Sequence, residues 1–227
     1  LQHHFYLKKQ FCILFLSGFI GTAIFSQQTK VSLASDASIL RSFKKEQQYW
    51  AIGQTVSLHF NFTPKEGAYA WLSYYSNGNF SNALTATAKT PATAPQAVNY
   101  NNKAQLRFKH ISLGWKKYLK GDCTSEKGWN LYGYAGFGLM LGAVTNIHSA
   151  GIDTAIYVVP VLSGKANYKR LTADLGLGAE IPIGADVFFY TEARALVPTS
   201  DYPSKYLFIN KKAPFTAAFN LGIRILL

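Results

Sequence analysis

The stretch KHISLGW, Lys109 to Trp115, sets His110 and Ser112 two positions apart. In an extended backbone, residues two apart point to the same face, so the two side chains share one side of a strand. A serine beside a histidine is the minimum for a nucleophile and its base, and such a pair works when a carboxylate orients the imidazole. The other chemically capable residues are charges placed in the same even rhythm: Asp174 and Glu180 in one segment, Glu192 and Arg194 in the next, and Arg224 near the C-terminus. The histidines are His3, His4, His59, His110 and His148, and neither their spacing nor that of Cys12 and Cys123 builds a metal-ligand set. No metal, cofactor or catalytic set is expected.

These residues ride on segments that alternate with a period of two. In FTAAFNLGIRILL, Phe215, Ala217, Phe219, Leu221, Ile223, Ile225 and Leu227 form one apolar face, opposite Thr216, Ala218, Asn220, Gly222 and Arg224. WAIGQTVSLHFNF repeats the pattern from Trp50 to Phe62, and AYAWLSYY, Ala68 to Tyr75, is a strand whose phase the sequence leaves open. QLRFKHISLGWKKYL carries Ile111, Leu113 and Trp115 opposite His110, Ser112 and Gly114. In WNLYGYAGFGLMLGAV, Leu131, Ala135, Phe137, Leu139 and Leu141 oppose Tyr132, Tyr134, Gly136, Gly138 and Gly142. The segments from Tyr168 and from Asp186 put Asp174, Glu180, Glu192 and Arg194 on the faces opposite their apolar rows. Short turns (TPKEG, KGDCTSEKG, PIGA) alternate with longer connections at 76–102, 145–166 and 198–214, which read as exposed loops. Val31–Phe43 alternates poorly, but it supplies the strand that brings the set to eight and puts both ends of the set at the short-turn side.

The 227 residues carry only 15% charged side chains, and mean hydropathy is +0.02. Residues 1–26 read as a signal peptide: Lys8 and Lys9 precede an apolar core, Phe11 to Phe25, that is short for a spanning helix. Its removal takes away those two lysines and lowers the net charge from +12 to +10. For an exported chain of that charge the expected partner is anionic lipid, not nucleic acid. Residues 27–227 form one all-β domain.

An even antiparallel set with short turns at one rim and long loops at the other fits a closed, eight-stranded transmembrane barrel with short periplasmic turns and long extracellular loops. A soluble lipocalin-type barrel would turn the same apolar faces inward, so alternation alone does not separate the two. The glycine-rich faces favour a crowded membrane-barrel interior. There Asp174 and Glu192 are expected at similar height, with Arg194 as the nearest cation and Arg224 reaching Glu180. Trp50, Trp71, Trp115, Trp129 and many tyrosines are expected in aromatic girdles.

The glycine-rich LYGYAGFGLMLG and LGLGAEIPIG segments, the signal peptide and the FNLGIRILL end resemble the small eight-stranded outer-membrane proteins of the OmpA/OmpX kind. That resemblance implies location in the cell outer membrane of a Gram-negative envelope, and a monomer. It also implies that Phe219, Leu221, Ile223, Ile225 and Leu227 act as a signal for the barrel-assembly machinery, although Leu227 stands where that family prefers Phe or Trp.

Three functions follow as expectations. The first is a non-enzymatic barrel with a filled interior, whose loops bind at the envelope surface. Lys44, Lys45, Lys103, Arg107, Lys109, Lys165, Lys169, Arg170, Lys205, Lys211 and Lys212 gather at the loop end, where they would meet lipopolysaccharide phosphates. The second is a lipid-modifying enzyme, because His110-x-Ser112 resembles the His-x-Ser of the lipid A deacylase barrels. Leu113 follows the serine where that family has Asn. The third is a narrow, porin-like passive pore. N-terminal sequencing of protein purified from the outer-membrane fraction is expected to read from Gln27, and a chain that still reads from Leu1 would refute the signal peptide.

Overall fold

The computed structural model describes residues 29–199, 205–206 and 214–227. The expected signal segment and the loop residues Lys211 and Lys212 lie outside the described residues. Eight long strands carry the fold: β1 (Lys30–Ser42), β2 (Trp50–Thr63), β3 (Glu66–Ala88), β4 (Ala97–Lys120), β5 (Asn130–His148), β7 (Gly164–Pro182), β8 (Val187–Pro198) and β9 (Thr216–Leu226). A two-residue strand, β6 (Tyr157–Val158), lies in the loop after β5 and pairs with the far end of β3. Each long strand pairs antiparallel with its neighbours, and β9 pairs with β1 from Thr216–Ser42 to Leu226–Ser32, closing the ring. The segment from Val31 is therefore a full member, bonded to β2 on one side and β9 on the other.

Side-chain direction separates the membrane barrel from the soluble one. Leu33, Ile52, Val56, Leu113, Phe137, Leu175, Leu177 and Ile223 are exposed on the outer wall. Asp36, Asp174, Glu180, Glu192, Arg194 and Arg224 are buried inside. Water would reject that arrangement, and a bilayer requires it. Among the described residues no helix is long and apolar enough to cross a membrane.

The structure corrects the expected loops. Residues 76–102 are mostly strand, because β3 runs 23 residues and β4 runs 24, well past the ~9–11 that a tilted crossing needs. Above the bilayer the outward side chains meet water, so Thr85, Thr87, Asn99 and Asn101 replace the apolar row and the membrane-type signal disappears. The inner side of this extension is covered: Leu84, Ala86 and Tyr100 pack against Tyr157 and Val161 from the following loop. Likewise β5 continues to His148 and β7 begins at Gly164, which shortens the connection expected at 145–166.

The aromatic girdle is also only partly as expected. Trp50, Trp115 and Trp129 are exposed, but Trp71 is buried in the interior together with Tyr69, Tyr75, Tyr118, Tyr132, Tyr134, Tyr168 and Tyr190. The phase of 68–75, open in the sequence, places Tyr69, Trp71, Ser73 and Tyr75 inward.

Ile223 lies on the outer face of β9, 48% exposed between the neighbouring apolar rows. Ile223→Lys is expected to cost about 2–4 kcal/mol near the bilayer midplane. Ile223→Ala should cost clearly less. Urea unfolding in lipid vesicles checks this, and equal costs for the two would refute the outward assignment.

Candidate functional site

Arg194 projects from β8 into the middle of the barrel. Its Nε and Nη2 donate to Glu192 Oε2 at 2.9 and 2.6 Å, and Nη2 also reaches Asp36 Oδ2 on β1 at 3.0 Å. Nη1 donates to Thr55 Oγ1 on β2 at 3.1 Å, and Nε to the Tyr134 hydroxyl on β5 at 3.1 Å. The guanidinium lies 4.4 Å from the Trp71 ring on β3, a cation–π contact. Tyr132 completes Glu192 at 2.7 Å, while Tyr190 on β8 and Asn220 on β9 complete Asp36 at 2.9 and 2.8 Å. Directly or through Asp36, a single side chain thus ties six strands across the lumen.

Glycine makes that arrangement possible. A Cβ on Gly176 would run into the Tyr134 ring, and one on Gly178 into the Tyr132 ring. With no side chain there, both rings lie flat against the wall and aim their hydroxyls at Glu192. The alternate glycines seen in the sequence thus make room for aromatic rings in the crowded interior.

A second network closes the short-turn end. Arg224 on β9 holds Glu180 on β7 with both ends of its fork, at 3.0 and 2.7 Å, while Nη1 reaches Ser32 at 3.0 Å and the ring of Phe188 lies 3.9 Å away. Glu180 also accepts from Tyr118 at 2.9 Å and Asn130 at 3.2 Å, with Lys116 Nζ at 3.8 Å. Arg224 Nη2 donates to the Cys123 carbonyl at 3.1 Å, and Cys123 N donates to Pro64 O at 2.8 Å. The turn 121–129 is therefore drawn over the barrel mouth. Within that turn burial raises the Asp122 carboxyl, but hydrogen bonds from Thr124 and Ser125 outweigh it and hold the group below its ordinary pKa.

The third cluster contains the sequence's candidate base. His110 Nδ1 accepts from Trp71 Nε1 at 3.3 Å. Its Nε2 therefore carries the proton of the neutral ring and faces Thr172 Oγ1 at 2.9 Å and Asp174 Oδ2 at 3.3 Å. Ser112 instead donates to the Phe137 carbonyl at 3.2 Å, and among the described residues no hydrogen bond joins it to His110. Both side chains are buried inside the barrel, away from the wall that lipid would touch. The two residues share a face without forming a nucleophile and base.

The five sequence-selected charges all lie inside, and Arg194 with Glu192 and Arg224 with Glu180 pair as expected, but Asp174 does not lie level with Glu192. Asp174 pairs across the ladder with Leu196, and Glu192 with Gly178, so the two are not level. The hairpin turn reaches Val187, which puts Asp174 eight residues above the pair Pro182–Phe188 and Glu192 only four above it. The partner that Glu192 shares Arg194 with is Asp36, and Lys116 and Arg170 complete the set of buried charges. Among the described residues the buried charges thus comprise four carboxylates (Asp36, Asp174, Glu180, Glu192) and four cations (Lys116, Arg170, Arg194, Arg224). The alternation of Val31–Phe43 held the signal for Asp36, which shares the even positions with Ser32, Ala34 and Ser38. On β9, Phe219, Leu221, Ile223 and Ile225 point outward, and Leu227, just past its end, is exposed too.

No family model matches the sequence, and no curated protein matches it. Solved structures do match in fold. Neisserial surface protein A, from Neisseria, superposes over 86% of this chain and 96% of its own, with a TM-score of 0.55 at 10% identity. The fold is that of the small outer-membrane β-barrels. A major outer membrane protein of Thermus thermophilus matches over 88% of this chain and 100% of its own, with a TM-score of 0.52 at 8% identity. At such identities the likeness concerns the barrel and not its ligands.

Arg194→Met alone is expected to cost roughly 3–5 kcal/mol, because it leaves Glu192 and Asp36 buried without their cation, and Glu192→Gln less, because Asp36 still pairs with Arg194. The double variant should cost less than the sum of the two, and adding Asp36→Asn should recover more. A double-mutant cycle of urea unfolding in lipid checks this, and strict additivity would refute a shared network.

Proposed function

We propose that this chain is a non-enzymatic barrel of the outer membrane, closed to passive flow, that presents its outer hairpins and loops at the envelope surface. The observation that carries the reading is the filling of the lumen: the paired side chains of Asp36, Lys116, Glu180, Glu192, Arg194 and Arg224 are at most 5% exposed. An eight-stranded barrel is just wide enough for its side chains to fill. Here they do so with ion pairs that leave few donors for a permeating ion. Burial of His110 and Ser112, each with other partners, supports the non-enzymatic part of the reading.

Outside the bilayer, β3 and β4 continue as a paired hairpin braced by β6, which gives the binding surface a rigid base. Lipopolysaccharide and the other lipids of the outer membrane are its surroundings in this reading. The outward row Phe219, Leu221, Ile223, Ile225 and Leu227 serves as the assembly signal, since β9 joins β8 to β1 at the closing seam. Purified protein in planar bilayers is expected to show no steady conductance, and lipid A from cells with and without the chain should give the same mass spectrum. Stable unitary currents would refute the closed lumen, and a changed acyl pattern would refute the non-enzymatic assignment.

A further inference from the structure

Five cations stand on one side of the outer wall, directly above the apolar belt. Lys103, Arg107 and Lys109 occupy outward positions on β4, and Lys165 and Lys169 do so on β7. Below them the same two faces turn apolar at Ile111 and Leu171. β5 runs between, and cross-strand pairing aligns Lys109, Leu141 and Lys169 in one row and Arg107, Ala143 and Asn167 in the next. The middle strand is low at Ala143, one row above Leu141, with Arg107 and Asn167 on its flanks and Lys109 and Lys169 beside Leu141. The result is a groove of about 500 Å³ lined by Tyr74, Arg107, Lys109, Ala143, Asn167 and Lys169.

Among the described residues nothing neutralises this groove from within the chain, because none of the five cations has a carboxylate at salt-bridge distance. The described acidic residues lie inside the barrel (Asp36, Asp174, Glu180, Glu192), at the short-turn rim (Glu66, Asp122, Glu126, Asp186) or in the outer loops (Glu46, Asp153). Among the described residues the opposite wall carries no matching charge: β8, β9 and β1 present Ala193, Ala195, Ala217 and Ile39, and Arg41 is held by the ring of Trp50 at 4.8 Å.

We infer that this groove is a lipid site that takes the phosphorylated headgroup of lipid A, the lipid portion of lipopolysaccharide. The two cationic strands are two ladder spacings apart, about 10 Å, which leaves room for one phosphate over Ala143 between Arg107 and Lys169. Arginine offers a planar fork to phosphate oxygens and lysine a point charge, both as charge-assisted bonds. The acyl chains would then run down the wall over Ile111, Leu139 and Leu171. The site lies at the level where the headgroups of an outer leaflet begin. The inference rests on the reading of an outer-membrane barrel and adds to it one partner and one site.

The test is native mass spectrometry of the folded full chain in maltoside micelles. The probes are lipid A bearing both phosphates, the same lipid with its phosphates removed, and a zwitterionic phospholipid. Wild type is expected to retain only the phosphorylated lipid. Substituting Arg107→Gln, Lys109→Gln and Lys169→Gln together should weaken retention about tenfold or more, since the charge-assisted bonds are lost. Ala143→Trp, which fills the groove without changing charge, should do the same. Substituting three lysines at the other rim, Lys65→Gln, Lys117→Gln and Lys127→Gln, changes net charge equally and should leave retention within roughly threefold, as expected if general charge attraction is not the cause.

Failure of wild type to prefer the phosphorylated lipid would overturn the site. So would retention by the wall variant, an equal loss in the rim variant, or an unchanged affinity in Ala143→Trp. Heat-modifiable mobility shows that each variant is folded. Bilayer conductance on the same preparations reports the closed-barrel reading separately, so failure of one is distinguishable from failure of the other.

Discussion

A backbone that enters hydrocarbon must find every hydrogen-bond partner within the chain, and that requirement governs this molecule. The sheet satisfies it by closing: β9 lies between β8 and β1, and eleven cross-strand partners from Ser42–Thr216 to Ser32–Leu226 remove the last free edge. Once the ring is closed, each strand has one face in lipid and one in a narrow lumen. The outward rows of Leu, Ile, Phe and Val follow from the first environment. The crowding of rings and charges follows from the second.

The lumen has its own constraint. A charge that leaves water must be paired, or its burial costs several kcal/mol. This interior holds equal numbers of carboxylates and cations among the described residues and arranges them in layers. Arg224 and Glu180 seal the short-turn end, Arg194 with Glu192 and Asp36 spans the middle, and an apolar cluster around Tyr75, Phe108, Met140 and Tyr168 lies toward the loops. Ion pairs reaching from β8 to β1 and from β9 to β7 fix the relative height of strands distant in sequence. Ladder bonds act only between neighbours, so these contacts stiffen the barrel against shear. Their part is alignment more than net stability, since buried pairs often do little better than break even against apolar packing.

Charge on the outer wall is distributed by different physics. Lys103, Arg107, Lys109, Lys165 and Lys169 begin where the apolar belt ends, on strands that project well beyond the bilayer. A cation a few residues lower would sit in hydrocarbon. At this level it meets headgroups, which attract it. The interior network and the outer cations are therefore separate systems: one neutralised by the protein itself, the other left for the surroundings to neutralise.

The sequence by itself determined the strand count, the antiparallel order, the short-turn and long-loop rims, and which face of most strands holds charge. Period-two alternation is a local property, so Phe219, Leu221 and Ile223 declare their common face without reference to any neighbour. It failed where the environment stops differing between faces. Above the bilayer Thr85 and Asn99 face water in place of lipid, so a paired hairpin read as a loop. It failed too for Trp71 and the interior tyrosines, because a ring suits an interface or a glycine-lined wall equally well. Only the tertiary structure decided which charges meet. Register and barrel shear bring Asp36 to Arg194 from 158 residues away and set Asp174 beside His110 and not beside Glu192. Those contacts cross the lumen between strands that are not neighbours in the chain or in the sheet, and no local pattern encodes the distance across a closed ring.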